Sequence, residues 1–276
     1  LLGGINQGFT DFIQEVTSHE VAHQWWGHII GWKSYRDQWM SEGFSDCSAS
    51  IFAQQTYGND LFMKFWKEQR ELILQKNAQG RRPSDVGSVY MGYRLDTART
   101  GDVTRRVMYP KGGFILHMLR MMMWDPKTGD QRFIAMMKDF VKTHYNQNVS
   151  TQDFQRIVEK HMTAEMNLGD DGKMNWFFSQ WAYGTSIPDY KLEYRLDPAE
   201  GGKVKLIGKI TQSGVDQNFA MRVPIYLDFD GKITRLGTIP VIGNSSTEQF
   251  EVGLPKTPKR VLLCYFDDVL CTTTAR

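Results

Sequence analysis

Thr17 to His28 reads TSHEVAHQWWGH and holds three of the chain's six histidines. Imidazole carries a donor and an acceptor that burial must satisfy. So dense a cluster therefore constrains the local backbone strongly: it has to present the rings to something that uses them, and a metal ion does. His19 and His23 are four residues apart, which on a helix places them on one face, one turn apart, close enough to share a cation. Glu20 lies between them in an H-E-x-x-H pattern, where the histidines hold the metal and the glutamate takes a proton from the attacking water.

Two imidazoles make half of a tetrahedral zinc site. Catalytic zinc commonly has three protein ligands and one open position, and His-His-Glu is a known set. The string WMSEGFSD supplies the acid: Glu42 opens a second predicted helix after a short connection that can turn the chain antiparallel. Asp46, four residues on and on the same face, is placed to accept the other ring N–H of His19 and fix its tautomer.

The rest of the composition excludes more than it proposes. The 276 residues are 41% apolar, enough for a substantial core. Basic and acidic residues number 33 and 31, for a net charge of +2, so no electrostatic footprint for nucleic acid is present. No apolar run reaches the roughly 20 residues of a membrane helix. The first residues, Leu1-Leu2-Gly3-Gly4, lack both a methionine and a signal-peptide layout, which suggests a fragment or a processed product. Three cysteines, Cys47, Cys264 and Cys271, make no disulfide framework and read as free core thiols. A hairpin tip at Asp267-Asp268 would set Cys264 opposite Cys271 and make one bridge geometrically conceivable.

The fold class expected is mainly α followed by all-β, with domains over 1–187 and 188–276 and the boundary in GTSIP. A long, mostly buried helix is expected to start at a Thr10 cap, carry Phe12, Val16, Val21 and Trp25 on its apolar positions, and stop near Gly31. A second helix follows, with Ser41 as cap and Gly58 as stop, and a third begins at Asn59. Gly80 to Met108 has little period and reads as a long loop, of the kind that is functional or mobile, after which Pro110 is expected in the first turn of the next helix. Three more helical stretches precede Tyr190. Beyond it YKLEYRL, KVKLIGKITQ, AMRVPIYLDF, ITRLGTIP, TEQFEVG and KRVLLCYF are separated by turn residues, the spacing of an antiparallel sheet folded as a small sandwich.

HEVAHQWWG, WMSEGF and YPKGG, in that order, resemble the gluzincin metallopeptidases and in particular the aminopeptidase N and leukotriene hydrolase family. The resemblance implies a helical, thermolysin-like zincin subdomain followed by a C-terminal β-sandwich. It implies one zinc on His19, His23 and Glu42, with Glu20 as general base and later acid. Tyr109, in the family's Y-x-K-G string, is implied as the donor to the transition-state oxyanion. The activity implied is hydrolysis of peptide bonds by metal-activated water, most simply as an aminopeptidase, with a peptide as partner. The alternative is a non-catalytic or incomplete zincin module that binds peptide or a partner chain. That alternative arises because the family's G-x-M-E-N-like segment, whose glutamate binds the substrate's amino terminus, belongs to an upstream region not found in these residues. Where the family often has Asn or Asp after HQWWG, this chain has His28, which neither resemblance nor spacing explains.

The remaining candidates have plainer readings. His117, His144 and His161 read as surface or satisfied core residues. Met118, Met121, Met122 and Met123 read as helix packing, as do Trp25 and Trp26. Arg99, Arg105 and Arg106 precede Tyr109 on the expected loop, where a solvated basic face is the commoner outcome and a contact with a substrate carboxylate the sharper one.

Overall fold

The computed structural model describes residues 15–97, 100 and 102–273. The expected cap at Thr10, with Phe12 and Arg99, lies outside the described residues. The chain divides into two compact units between Thr185 and Ser186.

The first unit is helical. Helix α1 is described over 15–22 and is followed by β1 (Ile30–Trp32), α2 (Trp39–Tyr57), α3 (Asn59–Leu74), α4 (Val103–Met123), α5 (Gln131–Thr143), β2 (Gln147–Val149), α6 (Thr151–His161) and α7 (Asn175–Trp181). Two expectations for α1 are corrected. It does not run to Gly31: the helical stretch ends at 22, Gly27 turns the chain at φ 112°, and Ile30–Trp32 leaves the helix to pair in parallel with Gln147–Val149. Nor is it mostly buried, since Ala22 and Trp26 turn inward while Val16, Val21 and Trp25 are exposed.

Helix α2 is the core element. Trp39, Phe44, Cys47, Ala49 and Ala53 are buried on several sides of it, as befits a helix enclosed by neighbours rather than lying on a surface. Its cap position is Gln38, not Ser41, and its stop is Gly58 as expected. Helix α4 crosses α2 where both have glycine. A Cβ on Gly43 would lie 2.4 Å from the Gly112 carbonyl carbon and 2.7 Å from the Gly113 nitrogen. The glycines of SEGF and KGG thus let the helix carrying Glu42 approach the helix carrying Tyr109 to backbone contact. Replacing Gly43 by Ala is expected to destabilise the unit by about 1–3 kcal/mol, the usual cost of overpacking; thermal unfolding measures this as a lower midpoint.

The expected loop from Gly80 to Met108 is largely structured. Short 3₁₀ turns occupy Pro83–Asp85 and Val89–Leu95, and α4 begins at Val103, so Pro110 sits inside it rather than in its first turn. Proline there lacks the N–H that would pair with the Arg106 carbonyl. The helix starts early because Asp96, eight residues upstream, accepts the Thr104 N–H at 2.8 Å and does the work of a cap from outside the local sequence.

In the second unit β3 (Asp189–Pro198), β4 (Val204–Ser213) and β7 (Ser246–Leu254) form one antiparallel sheet in the order β3-β4-β7. Strands β5 (Ala220–Phe229), β6 (Lys232–Ile242) and β8 (Arg260–Leu263) form a second in the order β6-β5-β8. Period-two patterning makes these strands: in β4, Leu206, Ile210 and Gln212 are buried while Lys205 and Lys209 face out. Asp267-Asp268 is not a hairpin tip. The Asp267 N–H closes a turn onto the Cys264 carbonyl at 3.0 Å, and both aspartates are buried, Asp268 accepting from the Tyr226 hydroxyl.

Candidate metal centre

Three side chains from two helices converge. His19 Nε2 lies 3.0 Å from His23 Nε2 and 3.4 Å from Glu42 Oε2, and His23 Nε2 lies 3.2 Å from the same oxygen. A tetrahedral zinc with bonds of about 2.0–2.1 Å holds its ligand atoms about 3.3–3.4 Å apart. Two imidazole nitrogens and a carboxylate oxygen at this spacing are therefore a donor set that fits zinc, and they leave the fourth tetrahedral position to something other than this cluster.

Each ring is oriented from behind. His19 Nδ1 is 2.7 Å from Asp46 Oδ1, so the second ring nitrogen faces His23 and Glu42. His23 Nδ1 donates to the Trp26 carbonyl at 2.8 Å, with the Ser45 and Ser41 hydroxyls at 3.1 and 3.2 Å. A carbonyl oxygen carries no proton, so Nδ1 must be the donor and Nε2 carries the lone pair. Ser41 also donates to the Trp26 carbonyl at 2.9 Å, which fixes the turn after α1 to the first turn of α2. Sequence reasoning placed Glu42 and Asp46, took Ser41 only as a helix cap and missed Ser45; the signal available was that both pairs repeat at four residues, putting two adjacent stripes of α2 against α1.

Burial opposes a charge on His19, but its hydrogen bonds to Asp46 and Glu42 outweigh this and carry its pKa up to about 9. Asp46 is buried, and desolvation raises its pKa while the His19 contact pulls the other way. Removing the acceptor, as in Asp46→Ala, is expected to weaken zinc binding about 10–100-fold, the usual cost of losing such an outer partner; competition with a chelating dye measures it.

Tyr109 stands on α4, not on a loop. Its ring stacks on His19, with centroids 5.7 Å apart and planes at 8°, and its hydroxyl hydrogen-bonds the Glu42 carboxylate. Partial burial first, and then the negative field of Glu42, push the phenol well above its ordinary range, so at neutral pH the group is an O–H donor. Glu20 follows His19 on α1 and is exposed. His28, exposed, donates from Nδ1 to the His23 carbonyl and so ties down the turn that carries His23.

The arginines separate. Arg106 pairs with Asp102 at 3.5 Å. Arg105 is exposed one helical turn before Tyr109, and its charge acts on that phenol. Beside them, Lys111 is fully buried and donates from Nζ to the Gly184 carbonyl at 2.7 Å. Burial pulls its pKa from 10.5 down to about 7. The unfolded chain keeps that proton up to 10.5 and the folded chain loses it above about 7, so the Lys111 contribution to stability rises with pH across that window and its penalty is fully present below it. Lys111 should contribute about 2 kcal/mol of rise between pH 7 and 9, which His19, raised to about 9 and losing its stabilisation over the same range, opposes. The check is therefore the difference in unfolding free energy between the unmutated chain and Lys111→Met at the two pH values.

Three converging donors, with a carboxylate beside them in sequence and a phenol stacked on His19, are groups that could hold a metal ion and move a proton beside it. The peptidase family M1 domain matches residues 6–181, and the chain belongs to that family. Among curated proteins it is similar to aminopeptidase O of Homo sapiens, 23% identical over 209 residues, covering 68% of this chain and 24% of that protein. It is also similar to aminopeptidase N of Haemonchus contortus, 24% identical over 209 residues, covering 75% of this chain and 20% of that one. The fold resembles the crystal structure of Legionella pneumophila aminopeptidase A in complex with aspartic acid. There the TM-score is 0.62 at 19% identity, over 95% of this chain and 27% of that chain. The chain thus spans about a quarter or less of the length of these curated relatives. No helix among the described residues is long and apolar enough to cross a membrane.

Proposed function

We propose that this chain carries the catalytic zinc centre of an aminopeptidase, with His19, His23 and Glu42 as ligands of one zinc, Glu20 as general base and then acid, and Tyr109 as oxyanion donor. The observation that carries the reading is the triangle of donor atoms with sides of 3.0, 3.2 and 3.4 Å, with the Tyr109 ring stacked on His19. The helical unit is the zincin subdomain of thermolysin type, and the two antiparallel sheets are its following β-sandwich, with the domains over 1–187 and 188–276.

Zinc, when bound, would polarise the scissile carbonyl and acidify water. The protein's own groups do the rest. The Glu20 carboxylate takes the proton of the attacking water and returns it to the departing amine. The Tyr109 hydroxyl donates to the carbonyl oxygen as negative charge grows on it, a contact stronger in the transition state than in the substrate. Asp46 and the Trp26 carbonyl hold the two rings so that no reorientation is needed during the reaction. The substrate is a peptide, and the upstream region of the longer protein supplies the group that receives its amino terminus.

Mass spectrometry of a mixed peptide pool, half with acetylated amino termini, tests this after incubation with the zinc-loaded protein. Loss of first residues from unblocked peptides alone supports an aminopeptidase, whereas internal cuts in both halves would make it an endopeptidase. A pool left intact by the chain and by the longer protein containing it would favour a zinc module that binds without cleaving.

A further inference from the structure

Two of the three cysteines, both outside the metal centre, are already paired in space. Cys264 and Cys271 are buried free thiols, 4% and 3% exposed, and their side chains hydrogen-bond each other. The backbone holds the two from different sheets. Cys264, directly after β8 and at φ 48°, donates its N–H to the Pro224 carbonyl of β5 at 3.1 Å. At the other end, Thr272 donates its N–H to the Pro188 carbonyl at 2.9 Å. Thr273 Oγ1 accepts the Tyr190 N–H at 2.6 Å and donates to the Tyr190 carbonyl at 3.0 Å, so the residues after Cys271 are fastened to β3. Between them the turn at Cys264–Asp267 and the Tyr226–Asp268 hydrogen bond fix the path of the loop. Bringing two sulfurs together normally costs loop-closure entropy; here the fold has already met that cost.

We propose that Cys264 and Cys271 are a disulfide site whose oxidation by a small-molecule disulfide staples the segment held on β3 to the segment held on β5. With oxidised glutathione, one protein sulfur first forms a mixed disulfide and releases one reduced glutathione. The second protein sulfur displaces the other. Overall two S–H bonds and the oxidant's S–S bond break, one protein S–S bond forms, and the two electrons and two protons leave on two glutathione thiols. The partner thiol, and then burial, hold the Cys264 thiol well above its usual range. Attack therefore needs the 264–273 segment to open, and the reaction is slow in the folded chain and faster in mild denaturant. Cys47, buried in α2 with its pKa pushed up to about 12 by burial, takes no part.

The test is independent of peptidase activity. The full chain is equilibrated in glutathione buffers from reduced to oxidised and unfolded in alkylating reagent, and its peptides are mapped by mass spectrometry. The expected result is a Cys264–Cys271 cross-link that accumulates with oxidant while Cys47 stays alkylated. Thermal unfolding of the same samples should show the midpoint rise by several degrees on oxidation and fall back after dithiothreitol. Cys271→Ala should abolish the redox dependence of the midpoint, and the comparison of oxidised with reduced unmutated chain stands even if that variant folds poorly. Three alkylated thiols in every buffer, stable glutathione adducts on single cysteines, a cross-link through Cys47, or a linked pair with no change in midpoint would each overturn the proposal.

Discussion

Glu20→Gln should leave zinc bound and reduce turnover by about 10²–10⁴-fold, the range that general base catalysis contributes. Glutamine has nearly the shape of glutamate and cannot accept the proton of the attacking water. Glu20 is exposed and is not one of the three converging donors, so metal content should not change. The check is zinc per chain beside kcat on one peptide for both proteins. A variant that keeps full turnover removes Glu20 from the base role. One that loses zinc as well would mean that the residue supports the metal rather than the proton transfer.

Tyr109→Phe should lower kcat by about 10²–10³-fold with little change in KM, because the lost donor acts on charge that exists only in the transition state. The ring itself is needed for packing on His19, and phenylalanine preserves that stack. A rise in KM at unchanged kcat would instead make Tyr109 a substrate-binding group. The steady-state constants of the two proteins on one substrate distinguish these outcomes.

The clustering of His19, His23, Glu42 and Asp46 was legible because helix geometry is local. Four-residue spacing fixes His19 over His23 and Glu42 over Asp46 whatever the rest of the chain does. Sequence could not find the acceptor of His23, since it is the main-chain carbonyl of Trp26, and every residue has one. His28 stayed unexplained for the same reason, its partner being the His23 carbonyl. Tyr109 came from a resemblance rather than from spacing, and its setting was misread: proline as a first-turn signal pointed to Pro110, whereas Asp96 caps α4 at Thr104 from outside the window that capping rules examine. The end of α1 was misjudged because β1 pairs with β2, a partner far along the chain that no local pattern announces. In the second unit alternation was strong enough to mark each strand, but not how Cys264 leaves β8, which depends on a left-handed turn at a non-glycine residue.

The central claim is that one zinc is held by His19, His23 and Glu42. Elemental analysis of the purified chain after dialysis against zinc and then zinc-free buffer tests it most directly, alongside Glu42→Ala and Asp46→Ala. The expected result is one zinc per chain in the unmutated protein, near-complete loss in Glu42→Ala, and retention in Asp46→Ala that fails only against a chelator. Undiminished zinc in Glu42→Ala, or none in the unmutated chain, would contradict the assignment.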